Sequence, residues 1–230
     1  MPLGDQYATR HNPFVYFHSI IDSPACNTNV VNLNQLTQDL SSESSTPDFV
    51  FITPSLCDDG HDSPCVNGQP GGLVSADVFL QKWIPLIEAS RAYQRDGLII
   101  VTFDEGGYTI AASSTGITIT FQGQYCCSEQ PGPNLAPFPQ STSIGSITLV
   151  TGDYGGDRTG AVLLSPFLKP GTVSNTPFNH YSLLKTLEDI YDTDGYLGYA
   201  GQPGLLSFFG CVSSDVAFHD SDDSAGCRNR

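Results

Sequence analysis

Two short apolar runs with a helical segment between them constrain most strongly what this chain can fold into. The runs are DFVFITP at residues 48–54 and GLIIVTFDEGG at residues 97–107. Neither run alternates polar with apolar residues, which is typical of strands that are covered on both faces of a parallel sheet. A third run of this kind, GAVLLSP, occupies residues 160–166. We therefore predict an α/β fold around a mostly parallel central sheet.

Two segments have the apolar spacing of helices that would cover such a sheet. In residues 74–93, Ser75 is the predicted N-cap and Pro85 is expected to kink or divide the helix. In residues 179–191, Asn179 is the predicted N-cap of a helix that packs on the sheet. Its expected apolar stripe consists of Leu183, Leu184, Leu187, Ile190 and Tyr191.

The length of 230 residues fits one domain better than two. We assign residues 1–197 to the main domain and residues 198–230 to a tail rich in Gly, Ser and Asp. Within the main domain, residues 108–158 form an excursion rich in Gly, Ser and Thr. We predict a hairpin there between GITITFQG at residues 116–123 and SIGSITLV at residues 143–150.

The charge of the chain excludes one class of partner. Nine basic residues against 24 acidic ones give a formal net charge of -15, which repels nucleic acid. A phosphorylated substrate would also be repelled unless bound cations reversed the local field. The sequence contains no apolar run long enough to cross a membrane, and residues 1–10 lack the features of an export signal.

The seven cysteines favour an oxidising compartment. Cys57 and Cys65 bracket a short loop rich in Asp and His, and we predict a disulfide between them. We expect Cys211 and Cys227 to form a disulfide in the tail. Zinc is the competing interpretation, but no C-x-x-C pair supports a thiolate site.

Polar clusters follow two of the predicted strands, where ligands bind in open parallel sheets. Asp104 and Glu105 end the second run, and CDDGHD at residues 57–62 follows the first. Adjacent carboxylates at the end of a buried strand are costly unless a cation neutralises them, so we predict a divalent metal at Asp104 and Glu105. The alternative for each cluster is a solvated turn, since Asp and Gly are common in turns.

Two histidines stand at informative positions. His180 begins the last predicted helix, where free backbone N–H groups favour anions such as phosphate. His11 lies in the string RHNPF. The alternative for both is an ordinary surface histidine.

Four ordered segments resemble the phosphoesterase family, which includes bacterial and fungal acid phosphatases and bacterial phospholipases C. They are YATRHNPFVYF, PDFVFITPSLCDDGHD, LIIVTFDEGG and FNHYSLLKTLEDIY, and the resemblance covers roughly residues 1–197. It implies an alkaline-phosphatase-like fold, with the sheet between helices and metal at its carboxyl edge. It also implies metal-dependent hydrolysis of a phosphorylated small molecule or a phospholipid headgroup, outside the cell or in the periplasm.

The resemblance also assigns expected roles to individual residues. Asp104 and Glu105 match the family's metal-binding pair. His61, His180 and His11 are the expected catalytic residues, with His61 or His180 as the acid that protonates the leaving oxygen. The expected substrate-binding residues are Asn12, Asp59 and Asp62.

One departure from the family concerns the front of the chain. The family carries a Glu-Asn strand and a Ser or Thr nucleophile that have no counterpart here, and Met1-Pro2 falls where the family has an internal Met-Pro. We therefore expect a fold that is incomplete at the N-terminus, with the nucleophile of a phospho-enzyme and the export signal upstream.

Two rival functions stay open at this point. One is a non-catalytic remnant that binds metal or phosphoester without turnover. The other is a serine esterase using Ser55, Ser165 or Ser182, which the absence of a G-x-S-x-G string disfavours.

Overall fold

The computed structural model describes residues 6–121, 126–127, 129–130, 136–152 and 155–208. The chain divides into two compact units, the first ending at Leu98 and the second beginning at Ile99. The first unit is helical in the part that the structure describes, and the second contains all the described strands. The predicted tail beyond residue 208, including Cys211 and Cys227, lies outside the described residues.

The helices of the first unit are mostly short. They are α1 His18–Ile21, α2 Ala25–Asn29, α3 Leu36–Asp39, α4 Gly72–Glu88 and α5 Arg91–Asp96. Short 3-10 helices occupy Thr9–His11, Pro13–Tyr16 and Leu33–Gln35. Among the described helices of this unit, only α4, with 17 residues, reaches the average helix length of globular proteins.

The predicted helix at residues 74–93 is confirmed with changes at both ends. Its N-cap is Gly71 rather than Ser75, whose Oγ instead accepts a hydrogen bond of 3.0 Å from the Gly71 N–H. Helix α4 runs through Pro85 to Glu88, and α5 begins afresh at Arg91 with Ser90 as its N-cap. The division therefore falls a few residues after Pro85, where the Ser90 side chain accepts from the Tyr93 N–H at 3.2 Å.

The second unit contains two sheets. One pairs β1 Ile99–Thr102 with β6 Ala161–Leu164 in antiparallel register, so that Ile99 faces Leu164 and Thr102 faces Ala161. The other sheet has the order β2-β3-β5-β4. Its strands are β2 Thr109–Ser113, β3 Gly116–Phe121, β4 Gln140–Ile144 and β5 Ile147–Thr151.

The prediction of a mixed α/β fold is confirmed, whereas the mostly parallel sheet is wrong for the described residues. Among their strand pairs only β3 with β5 is parallel. Residues 48–54 form no strand, although they contain the apolar run that predicted one. An apolar, β-branched composition favours extended backbone, but it determines neither the direction of a neighbouring strand nor burial, since Phe49, Val50 and Phe51 are exposed.

The excursion contains a sheet rather than the single predicted hairpin. Residues of the two predicted segments do pair, with Ile117 opposite Ile147, but in parallel. Each segment forms a tight hairpin with a different neighbour, β2 with β3 and β4 with β5. Each hairpin has a glycine with positive φ at its turn or next to it, Gly145 in the β4–β5 turn and Gly116 as the first residue of β3.

Helix α6, His180–Ile190, confirms the predicted helix and its cap. The Asn179 side chain accepts from the Ser182 N–H at 3.0 Å, and Ser182 Oγ accepts from the Asn179 N–H at 3.3 Å, which completes a capping box. The helix packs against the 3-10 helix Gly198–Gly201.

The buried residues of α6 are polar, whereas the three leucines of the predicted stripe are half-buried. Ser182, Thr186 and Glu188 are its buried residues, while Ile190 and Tyr191 are exposed. Thr186 Oγ1 accepts from the Phe208 N–H at 2.7 Å, and Glu188 Oε1 accepts from the Leu197 N–H at 2.8 Å. The chain after the helix therefore supplies the hydrogen bonds that make a polar buried face stable.

Candidate functional site

A disulfide closes the loop that follows residues 48–54. Cys57 and Cys65 are bonded, with their Cα atoms 5.3 Å apart, as the sequence predicted. Both cysteines are buried. We call residues 57–65 the disulfide loop, and it contains Asp59, His61 and Asp62.

Glycine conformations help to form this loop. Gly60 has φ 99° between Asp59 and His61. Gly71 has φ 65°, and a Cβ at that position would overlap the carbonyl of Asp62. The loop and the start of α4 therefore pack too closely for a side chain at residue 71.

Asp59 connects the disulfide loop to the first 3-10 helix. Its Oδ1 accepts a hydrogen bond of 2.8 Å from the His61 N–H, and its Oδ2 lies 3.4 Å from Nδ1 of His11. The side chains are 16% exposed at Asp59 and 27% at His11. The backbone carbonyl of His11 also accepts from Thr53 Oγ1 at 2.9 Å. Two motifs that are far apart in sequence therefore meet at one half-buried carboxylate.

His61 is the most open of the candidate catalytic residues in this unit. Its Nδ1 lies 3.0 Å from Oδ1 of Asp62, and its side chain is 63% exposed. An imidazole that is held by one carboxylate and otherwise open to solvent is accessible to a substrate. Its catalytic role stays a prediction.

Asn12 stabilises the local backbone through its described contacts. Its side-chain oxygen accepts from the Phe14 N–H at 3.2 Å, and its amide nitrogen donates to the Tyr7 hydroxyl at 3.2 Å. The residue is buried and caps the 3-10 helix Pro13–Tyr16. Its predicted contact with substrate stays a prediction.

The second unit contains the predicted metal pair. Asp104 and Glu105 follow β1, and the backbone of residues 156–158 runs beside them. The Gly106 N–H donates to the Gly156 carbonyl at 2.6 Å. A Cβ on Gly106 would lie only 2.9 Å from Cβ of Asp157. We call residues 104–106, 156–158 and His180 the strand-end cluster.

His180 contacts the metal pair through the backbone. Its Nε2 lies 2.7 Å from the carbonyl oxygen of Asp104. A carbonyl oxygen only accepts, so Nε2 carries the hydrogen and Nδ1 is the ring nitrogen that remains for another partner. The predicted proximity of His180 to the Asp104–Glu105 segment is thus present in the structure. The role of each residue stays a prediction.

Glu129 is a further ionisable residue that the sequence analysis missed. Burial raises the pKa of Glu129, and the nearby His180 opposes that rise. Burial also raises the pKa of Tyr181, and the charge of Glu129 adds to it. No motif surrounds Glu129 in the sequence, so only folding places its carboxylate near the start of α6.

Asp157 and Arg158 were also missed. They lie in GGDRTG immediately before β6, and their backbone packs against Gly106. The Asp157 side chain accepts from the Arg158 N–H at 2.7 Å, and Asp157 has φ 69°. The sequence signal that could have identified them is an acidic and a basic residue between glycines, at the start of a predicted strand.

The donor chemistry of Asp104 and Glu105 fits a divalent cation, because hard cations prefer carboxylate oxygen. Across the described residues, no three His, Cys, Asp or Glu side chains are grouped as a metal site would require. Both residues are exposed, so the burial on which the prediction rested is absent, and binding of a metal at the pair is a proposal. No helix among the described residues has the length and apolar character needed to span a bilayer.

Comparison with known proteins identifies the family of this chain. The model of the phosphoesterase family matches residues 3–194, and the chain belongs to that family. Over 102 residues it is 28% identical to the phosphate-repressible acid phosphatase of Penicillium chrysogenum, covering 44% of this chain and 23% of that protein.

Two further relatives have related names. A probable acid phosphatase of Kluyveromyces lactis is 33% identical over 102 residues, covering 44% of this chain and 22% of the relative. An acid phosphatase of Aspergillus fumigatus is 27% identical over 103 residues, covering 45% and 21%. The matched part thus spans less than a quarter of these relatives. No solved structure matches the chain with statistical significance.

Proposed function

We propose that the protein carrying this chain is an acid phosphatase that hydrolyses phosphomonoesters, with the strand-end cluster as part of its active site. The observation that carries the proposal is the hydrogen bond between His180 Nε2 and the Asp104 carbonyl. It holds the His180 ring against the backbone of the Asp104–Glu105 segment at the start of a helix, where backbone N–H groups favour a phosphate. Membership of the phosphoesterase family and the names of the relatives support the same chemistry.

In this proposal Asp104 and Glu105 bind a divalent cation. When bound, such an ion neutralises negative charge on the transferred phosphoryl group. A cation is needed because the chain has a formal charge of -15, which would otherwise repel a phosphate dianion. Arg158, whose backbone lies beside Gly106, is a further candidate for holding phosphate oxygens.

The proposed acid is His180. Its Nε2 hydrogen is occupied by the Asp104 carbonyl, so the protonated ring has the Nδ1 proton to give to the leaving oxygen. The proposed route is a phospho-enzyme, in which a hydroxyl nucleophile displaces the ester oxygen and water then releases phosphate. The catalytic roles of His11 and His61, and the binding of substrate by Asn12, Asp59 and Asp62, stay predictions.

We further propose an extracellular or periplasmic location. Two disulfides lie in the described residues, and disulfides persist in oxidising compartments. We also propose that the protein carrying this chain has an alkaline-phosphatase-like fold, with a central sheet between helices.

The test compares two substrates whose leaving groups differ. p-Nitrophenolate leaves without help from an acid, whereas the alkoxide of glycerol phosphate needs a proton. We expect His180→Ala to lower kcat on glycerol phosphate by about 100-fold or more and on p-nitrophenyl phosphate by much less. His18→Ala is the matched control, because His18 is exposed and contacts only Asp22 in the described interactions.

Equal losses on both substrates would contradict an acid role for His180. A phosphocholine ester assayed in parallel tests the phospholipase C type of substrate, and the proposal expects the monoester to be preferred. Binding of inorganic phosphate with no turnover of any substrate would favour the rival function, a non-catalytic binding protein.

A further inference from the structure

Two adjacent cysteines near the start of α6 form a disulfide with each other. Cys126 is bonded to Cys127, the next residue, so this disulfide does not link two distant segments of the chain. Cys127 has φ 63°, in the left-handed region that residues with a side chain rarely adopt. The bond therefore holds one residue in a backbone conformation that it would otherwise leave.

Both sulfur atoms contact the segment that precedes α6. The Cys126 sulfur lies 3.2 Å from the carbonyl oxygen of Phe178, and the Cys127 sulfur lies 3.1 Å from that of Pro177. The next residues are Asn179, the cap of α6, and His180. The cysteine pair thus packs against the two residues that precede the capping box.

The backbone of the pair is anchored on both sides. The Cys127 carbonyl accepts from Nε2 of Gln202 at 2.9 Å, and the Cys126 carbonyl accepts from the Glu129 N–H at 3.0 Å. Glu129 in turn interacts electrostatically with His180. A change in the Cys127 backbone would therefore move the contacts to Gln202, Glu129 and the segment before His180.

We propose that the Cys126–Cys127 disulfide is a positioning device for His180, and that a dithiol reductant can remove it. The dithiol supplies two electrons and two protons: the S–S bond breaks, both cysteines become thiols, and the dithiol becomes a disulfide. Cys127 then relaxes from its left-handed conformation, and the start of α6 loses its support. The consequence for catalysis rests on the proposed role of His180, whereas the structural effect does not.

The experiment measures hydrogen exchange at the first-turn amides of α6. We expect exchange at residues 181–184 to become about 5- to 30-fold faster in Cys126→Ser with Cys127→Ser, which matches the cost of a left-handed residue. Cys26→Ser is the matched control, because Cys26 is the free cysteine of the described residues. A second variant, Gln202→Met, removes one anchor with the disulfide intact, and a smaller acceleration at the same amides is expected.

Wild-type protein with a graded dithiol concentration gives an independent readout. Mass spectrometry identifies which disulfide opens, and the faster exchange at residues 181–184 is expected to follow the Cys126–Cys127 pair rather than Cys57–Cys65. Unchanged exchange after that bond opens would overturn the proposal. So would peptide mapping that finds Cys126 or Cys127 bonded to another cysteine, or both as free thiols.

The activity readout separates this proposal from the proposed function. If exchange accelerates and kcat on glycerol phosphate falls while KM changes little, both are supported. If exchange accelerates but activity is unaffected, the positioning holds and the acid role of His180 fails.

Discussion

Nδ1 of His11 lies 3.4 Å from Oδ2 of Asp59, although the two residues belong to motifs that are far apart in sequence. The same carboxylate accepts from the His61 N–H through its other oxygen. One side chain therefore holds the disulfide loop against the first 3-10 helix. Its removal is a direct test of how the candidate residues of the first unit are assembled.

Asp59→Ala is expected to lower the free energy of unfolding by about 1–2 kcal/mol, because it removes a charged acceptor from the half-buried His11 ring and from the His61 N–H. Asp59→Asn should cost less, since an amide oxygen can still accept from the His61 N–H. Urea denaturation measures both. Asp22→Ala is the control, because the exposed pair of His18 and Asp22 should contribute little. Equal losses from Asp59→Ala and Asp22→Ala would contradict this account.

Gly71→Ala should destabilise the protein more than Gly68→Ala. Both glycines have positive φ, 65° and 82°, so each substitution carries a conformational cost. Gly71 also has ψ -162°, and with its φ this is a region that essentially only glycine adopts. A Cβ at residue 68 meets nothing within 4 Å, whereas at residue 71 it would overlap the Asp62 carbonyl. The difference between the two melting temperatures measures the overlap together with the backbone cost that is specific to Gly71. Similar melting temperatures of the two variants would mean that the disulfide loop can move away from the new Cβ without loss of stability.

Asp104→Asn with Glu105→Gln is expected to weaken binding of a divalent cation at least tenfold, because amides replace both charged ligands. Calorimetric titration with Mg²⁺, Ca²⁺, Mn²⁺ and Zn²⁺ measures the loss without reference to activity. Asp77→Asn is the control, since Asp77 lies in α4 and accepts from Gln81 at 2.7 Å. Undiminished affinity in the double variant would show that the metal is bound elsewhere.

Glu129→Gln is expected to change how stability depends on pH. Burial raises the pKa of Glu129 above its ordinary 4.5, with His180 opposing, so the folded state holds the proton more tightly than the unfolded state. The wild type should therefore lose stability relative to Glu129→Gln as pH rises from about 4.5 through the raised pKa. Urea denaturation at several pH values measures this difference.

The salt dependence of the same measurement separates the two causes. The contribution of burial should persist in high salt, whereas the opposing effect of the His180 charge should be screened. A stability difference that stays constant across the pH range would contradict the raised pKa.

The sequence predicted well those features that depend on neighbouring residues. The Asn179 cap follows from a side chain that reaches the N–H three residues later, and β1 and β6 follow from runs of β-branched residues. The Cys57–Cys65 disulfide follows from two cysteines close enough in sequence to close a loop. The order of the four family motifs likewise sufficed to place the chain in its family.

The tertiary structure decided which distant segments meet. It paired β1 with β6 in antiparallel direction, formed no strand at residues 48–54, and buried polar residues of α6. It also brought His180 to the Asp104 carbonyl and placed Glu129 near that histidine. A residue's type fixes its local conformational preference and its hydrogen-bonding capacity. Strand direction and long-range partners depend instead on how all the segments share the available burial and hydrogen bonds, which no local pattern encodes.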